Sequence, residues 1–130
     1  MSQKNKVYTG TDWEKQFSYS RATKVGKHIF VAGTTAIDGR EVVGIGDAYG
    51  QSKFVLEKIE KALDFLGANR SDVVRTRMFV TDIGLSNEVG KAHGEFFKGI
   101  DPVATMVEVS ALIHPDMLVE IEVDAVVIKN

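Results

Sequence analysis

Three carboxylates alternate with apolar side chains near the end of the chain. Glu120, Glu122 and Asp124 occupy every second position of the segment EIEVDA. Because a β-strand directs successive side chains to opposite faces, this spacing predicts a strand with one apolar and one acidic face. Carboxylates can transfer protons or pair with cations, and like charges along one face repel each other unless other groups compensate them. The sequence therefore raises the question of what the acidic face contacts.

Candidate partners for these carboxylates lie on other predicted strands. Arg75 and Arg77 share one face of VVRTRMFV, and Tyr19 and Arg21 share one face of SYSRATK. Two interpretations remain open. The charges either form a solvated sheet face, or they pair inside an assembly in which this face packs against copies of the same chain.

Composition indicates an ordinary globular protein. The chain has 130 residues, of which 44% are hydrophobic and 26% charged, which predicts one domain over residues 1–130. The net charge of -2 gives no electrostatic reason to expect nucleic acid or an anionic membrane as a partner. With 0 cysteines there is no disulfide, thiolate nucleophile or cysteine metal site. No apolar leader or membrane-length segment is visible, and we expect a cytoplasmic location.

The order of predicted elements is β-β-(β)-α-β-α-β-β. Apolar residues at helical spacing predict helices over 51–66, with Gly67 as its stop, and over 85–96, with Ser86 as N-cap and Gly99 as stop. A hairpin precedes them, formed by SYSRATK and HIFVAG, and the glycine-rich residues after it leave room for one short edge strand. Both helices have one apolar stripe, so they can cover one face of a single sheet in an α+β fold.

Four segments in this order resemble a known family. YSRATKVGKHIFVAG, DVVRTRMFVTD, DPVATMVEVSAL and VEIEVDAVV are similar to the Rid (reactive-intermediate deaminase, YjgF-type) family, also labelled L-PSP endoribonucleases. The resemblance runs from Tyr19 to the C-terminus. It implies a chorismate-mutase-like fold, a single mixed sheet with two helices on one face, and a homotrimer. Clefts for a small-molecule metabolite would lie between subunits, with the acidic face directed inward and with no metal or organic cofactor.

The resemblance also implies roles for individual residues. Deaminating members hydrolyse short 2-imino acids to 2-keto acids and ammonia. Glu120 matches their glutamate, which orients the attacking water. Tyr19 matches a tyrosine of the cleft wall, and Ala32 and Gly33 match the small residues that complete it.

One part of the family's site is missing from this chain. Ala104 stands where the family has the arginine that binds the substrate carboxylate, and Met106 stands where many members have cysteine. A bidentate guanidinium–carboxylate contact contributes roughly 1.5–3 kcal/mol. The chain therefore resembles a subgroup that is not expected to deaminate the usual short 2-imino acids.

Three further residues are candidates for the site. Arg21 either points into the cleft and binds an anionic or carbonyl group, or pairs with an acid across the trimer. Arg77 is a weaker candidate, because Arg75, Arg77, Glu122 and Asp124 look more like an interior ion-pair lattice. His93 lies beside the apolar stripe of the second helix, where it is either a base or a partly buried structural residue. No two histidines have metal-ligand spacing.

The sequence leaves four functions open. The first is hydrolysis of an imine or enamine metabolite other than the usual short 2-imino acids, and the second is non-catalytic binding of a small metabolite. A chorismate-mutase-type activity is disfavoured, because its clefts are rich in arginine. Ribonuclease activity is disfavoured by the acidic net charge and the absence of a basic-aromatic surface pattern. Whether the protein is an enzyme is therefore left undecided by the sequence.

Overall fold

A computed structural model describes residues 5–128 as a layer of helices on a sheet. The strands are β1 (Lys6–Val7), β2 (Ala22–Val25), β3 (His28–Thr35), β4 (Ile37–Asp38), β5 (Glu41–Val42), β6 (Val73–Val80), β7 (Val103–Glu108) and β8 (Val119–Val126). The helices are α1 (Asp12–Phe17), α2 (Ala48–Phe65) and α3 (Ser86–Phe96), with short 3₁₀ turns at Arg70–Asp72 and Ile83–Leu85.

The main sheet has the strand order β1-β2-β3-β8-β6-β7. Strands β6 and β7 are parallel, and the other neighbours are antiparallel, so the sheet is mixed as predicted. Helices α2 and α3 pack side by side on one face. The α+β architecture predicted from the sequence is thus confirmed. We call the uncovered face, which carries Glu120, Glu122 and Asp124, the open face.

Helix α2 supplies most of the contact between the layers. Asp47 caps its N-terminus by accepting a 2.9 Å hydrogen bond from the Gly50 amide. The predicted stripe is buried, with Val55 and Ile59 both at 0% exposure. Each such burial contributes about 1.5–3 kcal/mol. Gly67 follows the helix with φ of +83°, which confirms its predicted role as the stop.

The start of helix α3 differs from its prediction. Ser86 is the first helical residue rather than the N-cap, and Leu85 at the cap position makes no side-chain capping bond. The 3₁₀ turn Ile83–Leu85 continues directly into α3. The N-cap is therefore at the start of this turn, where Asp82 accepts a 2.8 Å hydrogen bond from the Gly84 amide. Gly99, with φ of +81°, lies beyond the end of the helix as expected.

The first hairpin begins later than predicted. Helix α1, which sequence periodicity did not predict, ends at Ser18 in the left-handed conformation. The Tyr19 amide donates a 3.1 Å bond to the Glu14 carbonyl, so this segment belongs to the helix end. Strand β2 therefore starts at Ala22. The strand alternation from which we inferred a shared face for Tyr19 and Arg21 was wrong.

The glycine-rich segment after β3 also differs from its prediction. Instead of one edge strand it forms the β4–β5 hairpin, a separate two-stranded sheet. Ile37 pairs with Val42 across a turn in which Gly39 has φ of +66°. Glycine adopts that backbone conformation at no steric cost.

No helix within residues 5–128 is long and apolar enough to cross a membrane.

Candidate functional site

Glu120 is fixed in place by strand β8. Its neighbours Val119 and Ile121 are fully buried under the helices, so alternation directs the Glu120 side chain to the open face. Glu120 pairs with Thr35 on β3 and with Phe79 on β6. The carboxylate is half-buried although it lies on the face opposite to the one on which α2 and α3 pack.

Gly33 makes room for this carboxylate. Strand β3 is irregular between Val31 and Thr34, and Gly33 lies in that interruption. A β-carbon at this position would lie 1.9 Å from Glu120 Oε2 and 2.9 Å from its Cδ. Any larger side chain would therefore displace the carboxylate.

A cavity of about 120 Å³ lies beside Glu120. We call it the Glu120 cavity. Four residues singled out from the sequence line it, namely Tyr19, Arg21, Gly33 and Glu120. Residues from α1, α2 and the loop before β8 complete the wall, among them Trp13, Lys58 and Ile113. The structure therefore brings together four of the nine residues proposed for the site within one chain.

The other two carboxylates of β8 have cations beside them. Arg77 Nη1 lies 3.1 Å from Glu122 Oε2 and 3.6 Å from Asp124 Oδ2, and Arg75 Nε lies 3.7 Å from the same Asp124 oxygen. These contacts form the predicted ion-pair lattice within a single chain. Arg77 is therefore placed away from the Glu120 cavity, whose lining does not include it.

Glu120 lies in a less favourable environment for a negative charge. Burial raises the pKa of the Glu120 carboxyl above its ordinary value of 4.5, the charge of Arg21 opposes this rise, and the charge of Glu122 adds to it. Glu120 makes no ion pair within 4.0 Å in the described part of the chain. A carboxyl group of this kind can both accept and return a proton.

Arg21 is buried beside this carboxyl group. Its side chain is 7% exposed, and its Nε has no hydrogen-bond partner among residues 5–128. The guanidinium carbon lies 5.8 Å from the centre of the Tyr19 ring. Two backbone bonds hold the residue, one from the Arg21 amide to the Val7 carbonyl at 2.7 Å and one from the Ala32 amide to the Arg21 carbonyl at 2.9 Å.

The nearby acid Glu14 has its own partners. It is 4% exposed, and it accepts hydrogen bonds from the amide and the hydroxyl of Thr9. Burial raises the pKa of Glu14, but the Thr9 bonds and the charge of Arg21 outweigh burial and hold that pKa below 4.5. Glu14 therefore stays ionised with its oxygens occupied, and it does not form an ion pair with Arg21 within 4.0 Å.

Lys58 is a site residue that sequence analysis missed. It extends from α2 to the Glu120 cavity and donates a 2.9 Å bond to the Ile37 carbonyl. Burial, followed by repulsion from Arg21, lowers the pKa of Lys58 below 10.5, against the opposing charges of Glu14 and Asp38. Lys58 lies next to the apolar stripe, at a position that sequence periodicity alone cannot distinguish from a solvated lysine.

Three predicted residues lie outside the Glu120 cavity. Ala32 lines a neighbouring groove of about 760 Å³, which shares Tyr19 with the cavity. Ala104 and Met106 pair with Thr76 and Met78, whose side chains are buried under the helices. Within one chain they therefore point to the other face of the sheet.

His93 lies on α3, and its side chain points to the face of the sheet that the helices cover. Its Nε2 lies 2.8 Å from the Thr76 hydroxyl, and its ring packs against Phe97 with centroids 4.7 Å apart. Burial lowers the pKa of His93 below 6.5. Since Thr76 faces away from the open face, His93 is not brought together with Glu120.

The described residues contain no group of three or more His, Cys, Asp or Glu side chains that could hold a metal ion.

Comparison with known proteins agrees with this fold. Residues 11–127 match the model of the family described as Endoribonuclease L-PSP, and the chain belongs to that family. It is 36% identical over 120 residues to an uncharacterized protein of Streptomyces coelicolor, covering 92% of this chain and 90% of the relative. It is 39% identical over 106 residues to a RutC family protein of Pyrococcus abyssi, covering 80% and 82%.

Solved structures lead to the same family. A Mycobacterium tuberculosis member of the YjgF/YER057c/UK114 family is 46% identical, with a TM-score of 0.86 over 94% of this chain and 98% of that one. A Rid family protein from Yersinia pestis, YyfA, is 32% identical, with a TM-score of 0.80 over 97% and 96%. The sequence resemblance to the Rid family is thereby confirmed.

Proposed function

We propose that the protein hydrolyses the C=N bond of a small imine or enamine metabolite in the Glu120 cavity. The observation that carries this proposal is the position of Glu120, which is half-buried, has a raised pKa and faces a cavity lined by Arg21, whose Nε has no hydrogen-bond partner within residues 5–128. Imines are electrophilic, so their hydrolysis needs mainly a positioned water and a proton-transfer group.

The proposed reaction uses Glu120 twice. Ionised Glu120 takes a proton from water as the water oxygen bonds to the imine carbon, and the C=N electron pair moves to nitrogen. Glu120 returns that proton to nitrogen. It then transfers the hydroxyl proton of the adduct to nitrogen as the C–N bond breaks and the C=O bond forms. One imine and one water thus give one carbonyl compound and one ammonia.

The substrate of this reaction differs from the usual short 2-imino acids. Ala104 has no group that could bind a carboxylate, and its position on β7 lies two strands from Glu120. Tyr19 and Arg21 line the cavity and are the proposed ligand-binding residues. Nucleic acid is not the proposed ligand, since a cavity of about 120 Å³ is too small for a nucleotide and the net charge is -2.

A homotrimer is part of the proposal. The open face carries Phe30 at 46%, Val103 at 58% and Val107 at 42% exposure, beside the ion pairs of Arg77. Apolar side chains with charges between them on an uncovered sheet favour packing against further copies of the chain. Light scattering on the purified protein tests this assembly directly.

The same cavity also supports non-catalytic binding of a small metabolite as a second function. The observation that favours it is the alanine at residue 104. Family members that deaminate 2-imino acids have an arginine there, which orients the substrate. Without that arginine, the cavity can still bind a small metabolite.

An imine-hydrolysis assay distinguishes the two functions. A flavoprotein amino-acid oxidase generates 2-imino acids from a panel of amino acids, an amine oxidase generates imines that lack a carboxylate from a panel of amines, and ammonia release is followed with and without the protein. We expect acceleration that Glu120→Gln reduces by about 100-fold or more. Glu57→Gln, the same exchange at an exposed position of α2, serves as the control. Absence of acceleration with every imine and enamine tested would contradict hydrolysis and leave the binding function.

A further inference from the structure

Lys58 lines the Glu120 cavity, and the proposed hydrolysis does not use its amine. The Nζ atom donates a 2.9 Å hydrogen bond to the Ile37 carbonyl and lies 6.0 Å from the centre of the Phe54 ring. No carboxylate oxygen within residues 5–128 lies within 4.0 Å of this nitrogen. The lysine is thus half-buried without an ion pair, an environment that favours the neutral amine over the ammonium.

The charged groups around Lys58 act in the same direction. Burial, followed by repulsion from Arg21, lowers the pKa of Lys58, and the attraction of Glu14 and Asp38 does not compensate. Both Glu14 oxygens already accept bonds from Thr9, and Asp38 is exposed. A lysine amine that is desolvated, or that lies near a second cation, is activated as a nucleophile toward carbonyl compounds.

The cavity also contains a group that can transfer protons. Condensation of an amine with a carbonyl compound needs proton transfer twice, once in the addition and once in the loss of water. Glu120 lines the same cavity, and its half-buried carboxyl group can serve in both steps.

We propose that Lys58 is a covalent binding site for small, uncharged aldehydes, which its amine captures as Schiff bases in the Glu120 cavity. This activity goes beyond the proposed hydrolysis, in which water and not an amine attacks the substrate. The ligand class also differs, because the captured group is a C=O and not a C=N bond.

The proposed capture releases one water for each aldehyde. The lone pair of neutral Lys58 forms a C–N bond to the carbonyl carbon, and the C=O electron pair moves to oxygen. Glu120 accepts a proton from nitrogen and delivers one to that oxygen. It then protonates the resulting hydroxyl group, which leaves as water while the nitrogen lone pair forms the C=N bond. The iminium proton returns to Glu120, so that amine and aldehyde give imine and water.

The space around Lys58 limits the aldehyde. The Glu120 cavity, at about 120 Å³, holds roughly four water molecules of about 30 Å³ each. Lys58 also lines a groove of about 630 Å³, which shares Thr11 and Ile37 with the cavity. Apolar side chains of β1 and α2 contribute to the groove, namely Val7, Phe54 and Ala62. An aliphatic chain on the captured carbon can therefore extend from Lys58 into the groove.

The other charged residues of the groove balance each other. They are two acids and two bases, Asp12, Asp38, Arg40 and Lys61. Arg40 and Asp12 form an ion pair at 3.2 Å. This balance favours an uncharged chain over an anionic one.

Reductive trapping of the full-length protein with hexanal tests the proposal. Cyanoborohydride reduces imines to stable secondary amines at neutral pH, and peptide mapping by mass spectrometry then locates each hexyl group. Lys58 should be modified about 10-fold faster or more than Lys61, an exposed lysine of the same helix. Its modification should also begin at a lower pH. Mapping separates both lysines from the α-amino group of the chain, which is partly neutral at this pH.

Three variants separate the chemistry from folding. Lys58→Arg keeps a cation and a donor for the Ile37 carbonyl but has no neutral amine, so no rapidly modified side chain should remain. Arg21→Met removes the repelling charge, and modification of Lys58 should then begin at a higher pH. Lys61→Met is the matched control and should leave the rate at Lys58 unchanged.

Other aldehydes define the ligand class. The ratio of modification at Lys58 to that at Lys61 should be higher with hexanal than with acetaldehyde, which lacks the chain, or with glyoxylate, which is anionic. The inference is overturned if Lys58 reacts no faster than Lys61, if Arg21→Met leaves the pH of onset unchanged, or if glyoxylate gives the highest ratio. Preferential Lys58 adducts without imine hydrolysis would contradict the proposed function alone, and hydrolysis without such adducts would contradict this inference alone.

Discussion

Gly33 and Glu120 face each other so closely that a β-carbon on residue 33 would lie 1.9 Å from Glu120 Oε2. The contact involves the far end of a flexible side chain, so the glutamate can move while the backbone remains in place. The position of the carboxylate therefore depends on the absence of a side chain across the strand pair.

Gly33→Ala should displace the carboxylate without unfolding the protein. We expect ammonia release from imines to fall by about 10-fold or more, as for a misplaced catalytic group, with a small change in melting temperature. Gly94→Ala is the matched control, because a β-carbon on that exposed helical glycine meets nothing within 4 Å. The control should stabilise the protein by about 0.5–1 kcal/mol. Equal activity of the two variants would show that Gly33 does not position Glu120.

Glu120 should make stability depend on pH in a predictable direction. Its pKa is higher in the folded than in the unfolded chain, so its protonated form favours folding. This contribution is complete below 4.5 and is lost as pH rises through the folded pKa. Denaturant unfolding at a series of pH values should show Glu120→Gln gaining stability relative to wild type as pH increases over that range. A constant difference across the series would mean that the Glu120 pKa is not raised.

Arg77→Met tests the assembly of the open face. Arg77 contacts both Glu122 and Asp124, so its removal leaves Glu122 without a cation and Asp124 with Arg75 alone. Inside a trimer this loss should cost about 3–5 kcal/mol and favour dissociation, whereas on a solvated face the cost is below about 1 kcal/mol. We expect the larger effect, measured by light scattering and denaturant unfolding. Arg40→Met, which breaks the exposed pair with Asp12, should cost less than about 1 kcal/mol.

His93 should affect stability in acid but not catalysis. Burial lowers the His93 pKa in the folded chain, so its neutral form favours folding. This stabilisation is present above 6.5 and is lost as pH falls through the folded pKa. His93→Gln keeps a polar group for Thr76 and should reduce the loss of stability in acid, while imine hydrolysis at neutral pH stays within about 2-fold of wild type. A large loss of activity, not seen in His28→Gln, would give His93 a role in the reaction.

Strongly periodic segments were predictable from the sequence. Strand β6 has the predicted bounds, Val73–Val80, because it is rich in β-branched and apolar residues and turn residues flank it, although its register with β8 shifts between Val73 and Arg75. Helix α2 follows its apolar stripe, and only its first turn, from Ala48, was missed. The acidic side of β8 also follows from alternation, whereas its lattice with Arg77 requires β6 and β8 to be neighbours, which the structure supplies.

The rest of the site depends on tertiary contacts that periodicity does not encode. Helix α1 is six residues long and is held by its Thr11 cap and by Glu14, not by an apolar stripe. Arg21 reaches the cavity from the segment that follows this helix. Lys58 has the sequence environment of a surface lysine, and only the packing of α2 against β4 turns it inward.

Strands β6 and β8 pair in a register that sets Arg75 against Asp124, Arg77 against Glu122, and Phe79 against Glu120. Opposite charges thus lie across from each other in the first two pairs. In the third pair the aromatic ring of Phe79, and not a cation, lies across from Glu120. In the proposed reaction Glu120 transfers protons, and its neighbour on β6 contributes to that role as well as its own carboxyl group. In such a sheet, replacing an arginine of the adjacent strand by an apolar residue can create a proton-transfer group, and the reverse replacement can remove one. The glutamate itself does not change in either case.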